Sequence, residues 1–341
     1  MSGPTPTVVA RVRAGEIRAA ARLMRNLDDG LPGARRILRE LFARPGHAFV
    51  IGLTGPPGAG KSSLTDCLIA LHRRAGRTVG VVAVDPTSPF TGGAILGDRV
   101  RMQDHALDPG VFIRSLATRG HLGGLSRATA DVVQVLDAMG KDVILVETVG
   151  VGQDEVEVAE LAHSVVVVSI PGMGDEVQAI KAGVLEIADV FAVNKSDREG
   201  ADRTVKDLQM MLDLRRTTAT RSVPDHDSMH RMTRTAAEDP HDPNWWEPPI
   251  VKTVATRNEG VQELAEALER HREHLERTGE RKLREVARAR AAFLTLLRDR
   301  LMQGALDRLS AEVGHLDAIA ARIADRSADP YQLADELAAR L

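Results

Sequence analysis

The segment that most constrains the fold of this chain is a glycine-rich loop, which stands between a short apolar run and a helical pattern. Residues 55–62 read Gly-Pro-Pro-Gly-Ala-Gly-Lys-Ser and fill every fixed position of the phosphate-binding pattern G-x-x-x-x-G-K-[ST]. Glycines allow backbone N–H groups to curl around phosphate oxygens, and the start of the following helix adds a positive dipole end. The sequence therefore predicts a P-loop, and it excludes the G-x-G-x-x-G loop of dinucleotide-binding proteins.

The side chains of this loop have separate predicted roles. Lys61 supplies a point charge for the phosphates, and the hydroxyl of Ser62 is a candidate ligand for Mg²⁺. The predicted phosphate-binding residues form one continuous segment: Gly55, Pro56, Pro57, Gly58, Ala59, Gly60, Lys61, Ser62 and Ser63.

Short β-rich runs alternate with helical patterns through the middle of the chain. The predicted strands are Ala48–Thr54, Thr78–Val84, Val111–Ser115, Val143–Thr148, Ser164–Ile170, Val190–Asn194 and Ile250–Ala255. The predicted helices between them include Lys61–Arg74, Gly123–Met139 and Asp175–Ala188. Continuous apolar runs such as Val165–Val168 suit strands that are buried on both faces, so we expect an α/β fold whose mostly parallel sheet is flanked by helices.

Helical extensions are predicted at both ends of the chain. Residues 1–46 contain helical patterns over Val8–Leu27 and Gly33–Phe42, and residues 271–341 form a C-terminal helical region. The nucleotide-binding domain is expected to span residues 47–270. Within it, residues 216–249 are polar and contain five prolines, which indicates a surface insertion.

Composition excludes several classes of protein. The 45 basic and 48 acidic residues give a net charge of −3, so nothing attracts the chain as a whole to nucleic acid or membrane. Aromatic residues make up only 3%, which disfavours platforms for stacked bases. The single cysteine, Cys67, forbids an internal disulfide and suits a reducing compartment. We therefore expect a cytoplasmic protein without nucleic-acid or membrane partners.

The identity of the nucleotide is indicated by Asn194-Lys195-Ser196-Asp197, which follows a predicted strand. The Asp197 carboxylate can accept hydrogen bonds from N1–H and the exocyclic amino group of guanine, which adenine cannot offer. A charge-assisted hydrogen bond contributes about 1.5–3 kcal/mol, which is enough for strong discrimination. The sequence thus predicts GTP and GDP as ligands. The base-binding residues are expected to be Asn194, Lys195, Asp197, Val254, Ala255 and Thr256.

Acidic residues near the ends of predicted strands are candidates for the Mg²⁺ shell. Glu147 and Asp85 come at the ends of strands, and Asp98 follows a glycine-rich turn. Carboxylate and hydroxyl oxygens are suitable ligands for this ion. The predicted metal set is Ser62, Asp85, Asp98 and Glu147.

Two further positions concern the γ-phosphate. Gly150 would let its backbone N–H approach that phosphate. Ras-like proteins place a water-orienting glutamine directly after this glycine, but the residue here is Val151. The residue that positions the attacking water is therefore left open.

Taken together, the motifs resemble the methylmalonyl-CoA mutase-associated GTPases of the MeaB/ArgK type. The resemblance is carried by the P-loop, Asp85–Gly93, Gly97–Met102, Glu147–Gln153 and Asn194–Asp197, in the family's order. It implies a P-loop GTPase that forms homodimers through its terminal helices. It also implies a GTP-driven chaperone of an adenosylcobalamin-dependent acyl-CoA mutase, which gates cofactor loading and protects or rescues the mutase.

The resemblance extends to a further switch segment, Gly172–Lys181, in which Asp175, Gln178 and Lys181 would respond to nucleotide and partner. The predicted catalytic residues are accordingly Lys61, Glu147, Asp98 and Lys181. The 216–249 insertion is longer and more polar than the family leads us to expect.

Three other hypotheses remain open. A nickel-insertion GTPase would need metal-binding cysteines or a histidine-rich tract near the nucleotide, and neither is present in the sequence. A small-molecule kinase would need an acceptor-binding lid and would have little use for Asp197. A nucleotide-dependent scaffold would bind GTP but hardly hydrolyse it. The sequence also leaves open which mutase would be the client.

Overall fold

The computed structural model describes residues 7–43, 46–85, 105, 107–117, 127–148, 150, 154–172, 186–219, 244–312 and 316–338. The chain divides into two compact units, Met1–Lys282 and Leu283–Leu341. The described part of the first unit contains a sheet with helices on both faces, whereas that of the second unit is helical.

The sheet has seven strands, and every neighbouring pair is parallel. The strands are β1 (Phe49–Thr54), β2 (Val79–Asp85), β3 (Val111–Ala117), β4 (Val143–Glu147), β5 (Ser164–Ser169), β6 (Val190–Val193) and β7 (Ile250–Lys252). Their order across the sheet is β3-β2-β4-β1-β5-β6-β7. The predicted parallel α/β fold with helical additions is therefore confirmed.

Helices connect the strands and extend the chain at both ends. In the first unit they are α1 (Val8–Arg13), α2 (Ile17–Asp28), α3 (Pro32–Phe42), α4 (Lys61–Arg74), α5 (Arg127–Ala138), α6 (Asp154–Leu161), α7 (Ala201–Ala219) and α8 (Val261–Thr278). The helix α9 (Glu280–Glu312) begins in the first unit and continues into the second. The second unit also contains α10 (Leu316–Ala324) and α11 (Pro330–Ala338).

Two hydrophobic clusters cover the two faces of the sheet. In β5, Val165 and Val167 belong to the cluster that contains the apolar residues of α2, α3 and α5. Val166 and Val168 belong to the other cluster, together with α4 and α8. Side chains alternate between the faces of a strand, so a strand covered on both sides reads as a continuous apolar run.

Two predicted elements differ from the structure, and a third is not tested by it. The helix predicted over Val8–Leu27 is two helices, because the chain turns at Gly15, whose φ is +75°. The strand predicted over Ile250–Ala255 ends at Lys252, and Ala255–Arg257 form a 3₁₀ turn instead. Most of the helix predicted over Asp175–Ala188 lies outside the described residues.

A buried polar network joins the amino ends of β5 and β6 to α8. Asp189 precedes β6, and its carboxylate accepts a hydrogen bond from the backbone N–H of Val165 (2.9 Å) and faces Nε2 of His271 at 3.3 Å. The other ring nitrogen of His271 lies 2.6 Å from the hydroxyl of Ser164. Trp246 donates to the carbonyl of Asp189 (2.8 Å) and packs on the His271 ring. These contacts anchor Trp246, which lies near the end of the predicted 216–249 insertion.

Helices that could cross a membrane were sought along the described ranges, and no helix there combines the necessary length with the necessary hydrophobicity.

Candidate nucleotide-binding site

The predicted P-loop lies at the carboxyl edge of the sheet. It leaves β1, which is central between β4 and β5, and it ends where α4 begins at Lys61. Ligands of open parallel sheets bind outside the carboxyl ends of the strands, where the connections diverge. The fold thus brings the loop, the ends of β4 and β6, and the start of α4 to one edge.

The Lys61 side chain is buried and folds back over its own loop. Its Nζ donates hydrogen bonds to the carbonyl oxygens of Gly55 (2.8 Å) and Pro56 (3.1 Å). An ammonium group held by two carbonyls lies beside the backbone that is predicted to cradle the phosphates, so it can exchange these acceptors for phosphate oxygens.

Glu147 lies behind the P-loop and is 1% exposed. Its Oε1 accepts a hydrogen bond from the hydroxyl of Ser62 (2.5 Å), and its Oε2 accepts one from the hydroxyl of Thr65 (3.1 Å). Hydroxyl and carboxylate oxygens at one place are the donor set that hard divalent cations prefer. The residues present therefore fit a Mg²⁺ ion.

Sequence reasoning missed Thr65. A signal was available, because Thr65 follows Ser62 by three residues on α4, and residues three apart share one face of a helix. The sequence does not show that the face of α4 with Ser62 and Thr65 meets Glu147, because Glu147 is distant along the chain.

Gly150 approaches the P-loop at its first residue. Its φ is +84°, and a Cβ atom at this position would overlap the carbonyl oxygen of Gly55. Only glycine tolerates both constraints at once, which brings the backbone after β4 directly against the loop.

Asn194 ties the P-loop to the predicted base-binding loops. Its amide nitrogen donates to the carbonyl of Ala59 (2.8 Å). Its amide oxygen accepts from the hydroxyl of Thr253 (3.2 Å) and from the backbone N–H of Ala255 (3.1 Å). The neighbouring Lys195 donates to the carbonyl of Gly58 at 2.7 Å. Segments that are far apart in sequence are thereby joined into one rim.

Asp197 lies at the outer end of this rim. Its carboxylate is paired with the guanidinium of Arg257 at 3.3 Å, on a partly exposed surface. Of the three predicted flanking residues, Val254 and Ala255 are buried and Thr256 is exposed. The thiol of Cys67 on α4 donates a hydrogen bond to the carbonyl of Ala255 at 3.3 Å, so α4 contacts the segment Val254–Thr256 directly.

Several predicted site residues lie outside the described residues. These are Asp98, Asp175, Gln178 and Lys181, and the same holds for the side chain of Asp85, whose backbone ends β2. Their roles remain predictions.

A Ser-His-Asp arrangement, Ser164-His271-Asp189, occurs at the amino edge of the sheet, away from the P-loop. All three residues are 1% exposed or less. A nucleophilic serine must reach a substrate, so this burial assigns the arrangement to the scaffold.

Comparison with known proteins identifies the family of this chain. The family described as "Methylmalonyl Co-A mutase-associated GTPase MeaB" matches residues 21–310. A protein of Pyrococcus abyssi that is named as a GTPase is 46% identical over 328 residues, which are 96% of this chain and 94% of the relative. The "Methylmalonic aciduria type A homolog, mitochondrial" of Mus musculus is 34% identical over 232 residues, 68% of this chain and 51% of the relative.

A solved structure shows the same fold. The crystal structure of "LAO/AO transport system kinase" superposes with a TM-score of 0.63 at 22% identity, and it covers 97% of this chain and 95% of that one. At such low identity the likeness concerns the fold alone. The family match over residues 21–310 carries the assignment: the chain belongs to the methylmalonyl-CoA mutase-associated GTPase family, MeaB, and is a GTPase.

Proposed function

We propose that this GTPase is a nucleotide-driven chaperone of an adenosylcobalamin-dependent acyl-CoA mutase, which gates loading of the cofactor and protects or reactivates the mutase. The observation that carries the proposal is the family match over residues 21–310, because the description of that family names association with methylmalonyl-CoA mutase.

The nucleotide site would bind GTP and GDP together with Mg²⁺. Ser62 and Glu147 would hold the ion, with Asp85 and Asp98 completing its shell. When bound, the ion neutralises charge on the β- and γ-phosphates. The chain itself would hold the phosphates with the backbone of residues 55–63 and with Lys61, which is already directed at this loop.

Base selection would rest on the rim built by Asn194. Asp197 would accept hydrogen bonds from N1–H and the exocyclic amino group of guanine. Lys195 and Val254–Thr256 would line the base. The support for this site is structural, because Asn194 joins the P-loop to the segment that contains Thr253 and Ala255 through three hydrogen bonds and so fixes the rim beside which the base would lie.

A homodimer would form through the second unit. Along α9, large apolar side chains recur with helical spacing, and each is at least 41% exposed: Leu283, Val286, Phe293, Leu294, Leu297 and Leu301. An apolar stripe of this kind on a long helix favours burial against another helix. The C-terminal region 271–341 is therefore proposed as the dimerisation region.

The partner-responsive segment would be Gly172–Lys181, with Asp175, Gln178 and Lys181. A chaperone driven by GTP must bind its client with different affinity before and after hydrolysis, because a ligand shifts an equilibrium only by its differential binding.

The test is the GTPase rate as a function of mutase concentration. Each adenosylcobalamin-dependent mutase from the source genome is added to wild type, to Lys181→Ala and to the matched control Lys206→Ala, an exposed lysine on α7. We expect the cognate mutase to accelerate turnover, and we expect Lys181→Ala alone to blunt that acceleration. A flat response with every mutase would overturn the chaperone proposal, and equal hydrolysis of ATP would overturn guanine selection.

A further inference from the structure

The hydrogen bonds around Glu147 determine which atoms can face a cation. A carboxylate only accepts, so the hydroxyls of Ser62 and Thr65 must both donate their protons to it. The oxygen of Ser62 then keeps its lone pairs for a metal ion, because its hydroxyl proton points to Oε1 of Glu147. One oxygen of the carboxylate is thus committed to Ser62.

The second oxygen is fixed by Thr65. This side chain is 0% exposed, and in the described part of the chain Glu147 is the partner of its hydroxyl. Both hydroxyls project from the first turns of the same helix, so their separation is set by α4 and not by a mobile loop. Threonine is branched at Cβ, which limits its χ1 angle and keeps the hydroxyl in place.

We propose that Thr65 is a positioning residue for the metal site: it anchors Oε2 of Glu147, and so holds the carboxylate in the orientation that presents Ser62 to Mg²⁺. This inference rests on the proposed roles of Ser62 and Glu147. Groups of this kind, which touch a ligand residue and not the metal, typically change metal affinity about 10–100-fold when they are removed.

The experiment measures binding of a fluorescent GDP analogue at a series of Mg²⁺ concentrations and in excess EDTA. Thr65→Val removes the hydroxyl but retains the branched shape, and Thr65→Ser retains the hydroxyl. We expect Thr65→Val to raise the Mg²⁺ concentration for half-maximal binding about tenfold, at the lower end of that range because Ser62 still holds Oε1. Affinity for GDP without Mg²⁺ should be unchanged, and Thr65→Ser should restore the wild-type titration.

A merely structural role would give a different pattern, in which Thr65→Val weakens GDP binding equally with and without Mg²⁺. That result, or an unchanged Mg²⁺ titration, would overturn the inference. If Thr65→Val does not fold, Thr65→Ala is measured in its place and the same two outcomes decide.

Glu147→Gln, measured in parallel, separates this inference from the proposed function. If Glu147→Gln shifts the Mg²⁺ titration and Thr65→Val does not, only the role of Thr65 is wrong. If Glu147→Gln has no effect, the proposed metal role of Glu147 fails, and the inference about Thr65 falls with it.

Discussion

Two carboxylates lie at opposite ends of the strands of the same parallel sheet: Glu147 at the carboxyl edge and Asp189 at the amino edge. Each of the two residues is 1% exposed. Glu147 ends β4 and accepts from two hydroxyls of α4. Asp189 precedes β6 and accepts from the backbone N–H of Val165, beside the ring of His271. Burial and residue type are nearly the same at the two edges, so the difference lies in the partners.

The partners decide whether a buried carboxylate builds a site or a scaffold. A hydroxyl that donates its proton still has lone pairs for a cation, whereas a backbone N–H has none. The Glu147 edge also adjoins the P-loop, while the Asp189 edge is enclosed by Trp246. We therefore expect changes at the first edge to alter nucleotide chemistry and changes at the second to alter stability.

The largest expected effect is at the scaffold edge. Asp189→Ala should lower the free energy of unfolding by about 3–5 kcal/mol, because it takes the carboxylate acceptor away from two buried groups, the backbone N–H of Val165 and the ring of His271. Urea unfolding measures this loss, with Asp189→Asn as a graded comparison. The GTPase rate per folded molecule should stay close to wild type, and a stable variant without turnover would contradict the assignment of this edge to the scaffold.

The opposite behaviour is expected at the P-loop. Lys61→Ala should reduce GTP turnover by at least about a hundredfold, since a donor aimed at developing phosphate charge is lost. Its melting temperature should change little. Single-turnover hydrolysis and thermal unfolding are the two measurements, with Lys206→Ala as control. Unchanged turnover in a folded Lys61→Ala protein would refute the P-loop role.

A smaller effect should appear at the base-binding rim. Asp197→Asn should make the binding free energy of GTP less favourable by about 1.5–3 kcal/mol, which is the strength of a charge-assisted hydrogen bond. The same change should improve binding of xanthosine triphosphate. Competitive titration against a fluorescent nucleotide gives both affinities. Asp202→Asn, an exposed carboxylate that pairs with Lys252, is the matched control. An equal loss of affinity for GTP and for xanthosine triphosphate in Asp197→Asn would show that the carboxylate does not contact the base.

The smallest effect concerns His72, which lies near the end of α4 away from the P-loop and is 6% exposed. Burial lowers the pKa of His72 to about 4, and the positive charge of Arg77 adds to the shift. Between pH 6.5 and 4 the unfolded state therefore binds a proton that the folded state does not. Stability should fall with decreasing pH in this window, by up to about 1.4 kcal/mol per pH unit.

The check is urea unfolding between pH 7 and 5 for wild type, His72→Gln and the exposed control His47→Gln. His72→Gln should show a shallower loss of stability toward acid than the other two proteins. GTP turnover per folded molecule should follow the same pH profile in all three. Parallel stability curves for wild type and His72→Gln would argue against a neutral buried His72.

Much of the fold could be predicted because its helices and strands are indicated by patterns of neighbouring residues. The helix α4 has the bounds predicted for it, since a glycine-rich loop starts it and its apolar spacing continues to Arg74. All seven predicted strands are present, because short β-branched runs such as Val165–Val168 favour strands that are buried on both faces. The ends of elements were less predictable: β7 stops at Lys252 because the chain must turn inward to bring Ala255 to Asn194.

The site was predictable in its residue types but not in its contacts. The motifs name Lys61, Glu147 and Asn194, yet nothing local shows that Thr65 meets Glu147 or that Arg257 meets Asp197. These partners are separated by long stretches of chain. Their encounter depends on the order of strands in the sheet, which sequence periodicity does not encode.

The sequence alone determined the parallel α/β class, the P-loop and the guanine motif, because each rests on residues that are neighbours along the chain. Only the tertiary structure decided that Glu147 faces two hydroxyls and that Asp189 faces a histidine and a backbone amide. Both carboxylates stand next to apolar strands and look alike in sequence. Packing β1 between β4 and β5, and β6 against α8, gives them different neighbours, and those neighbours set what each can do.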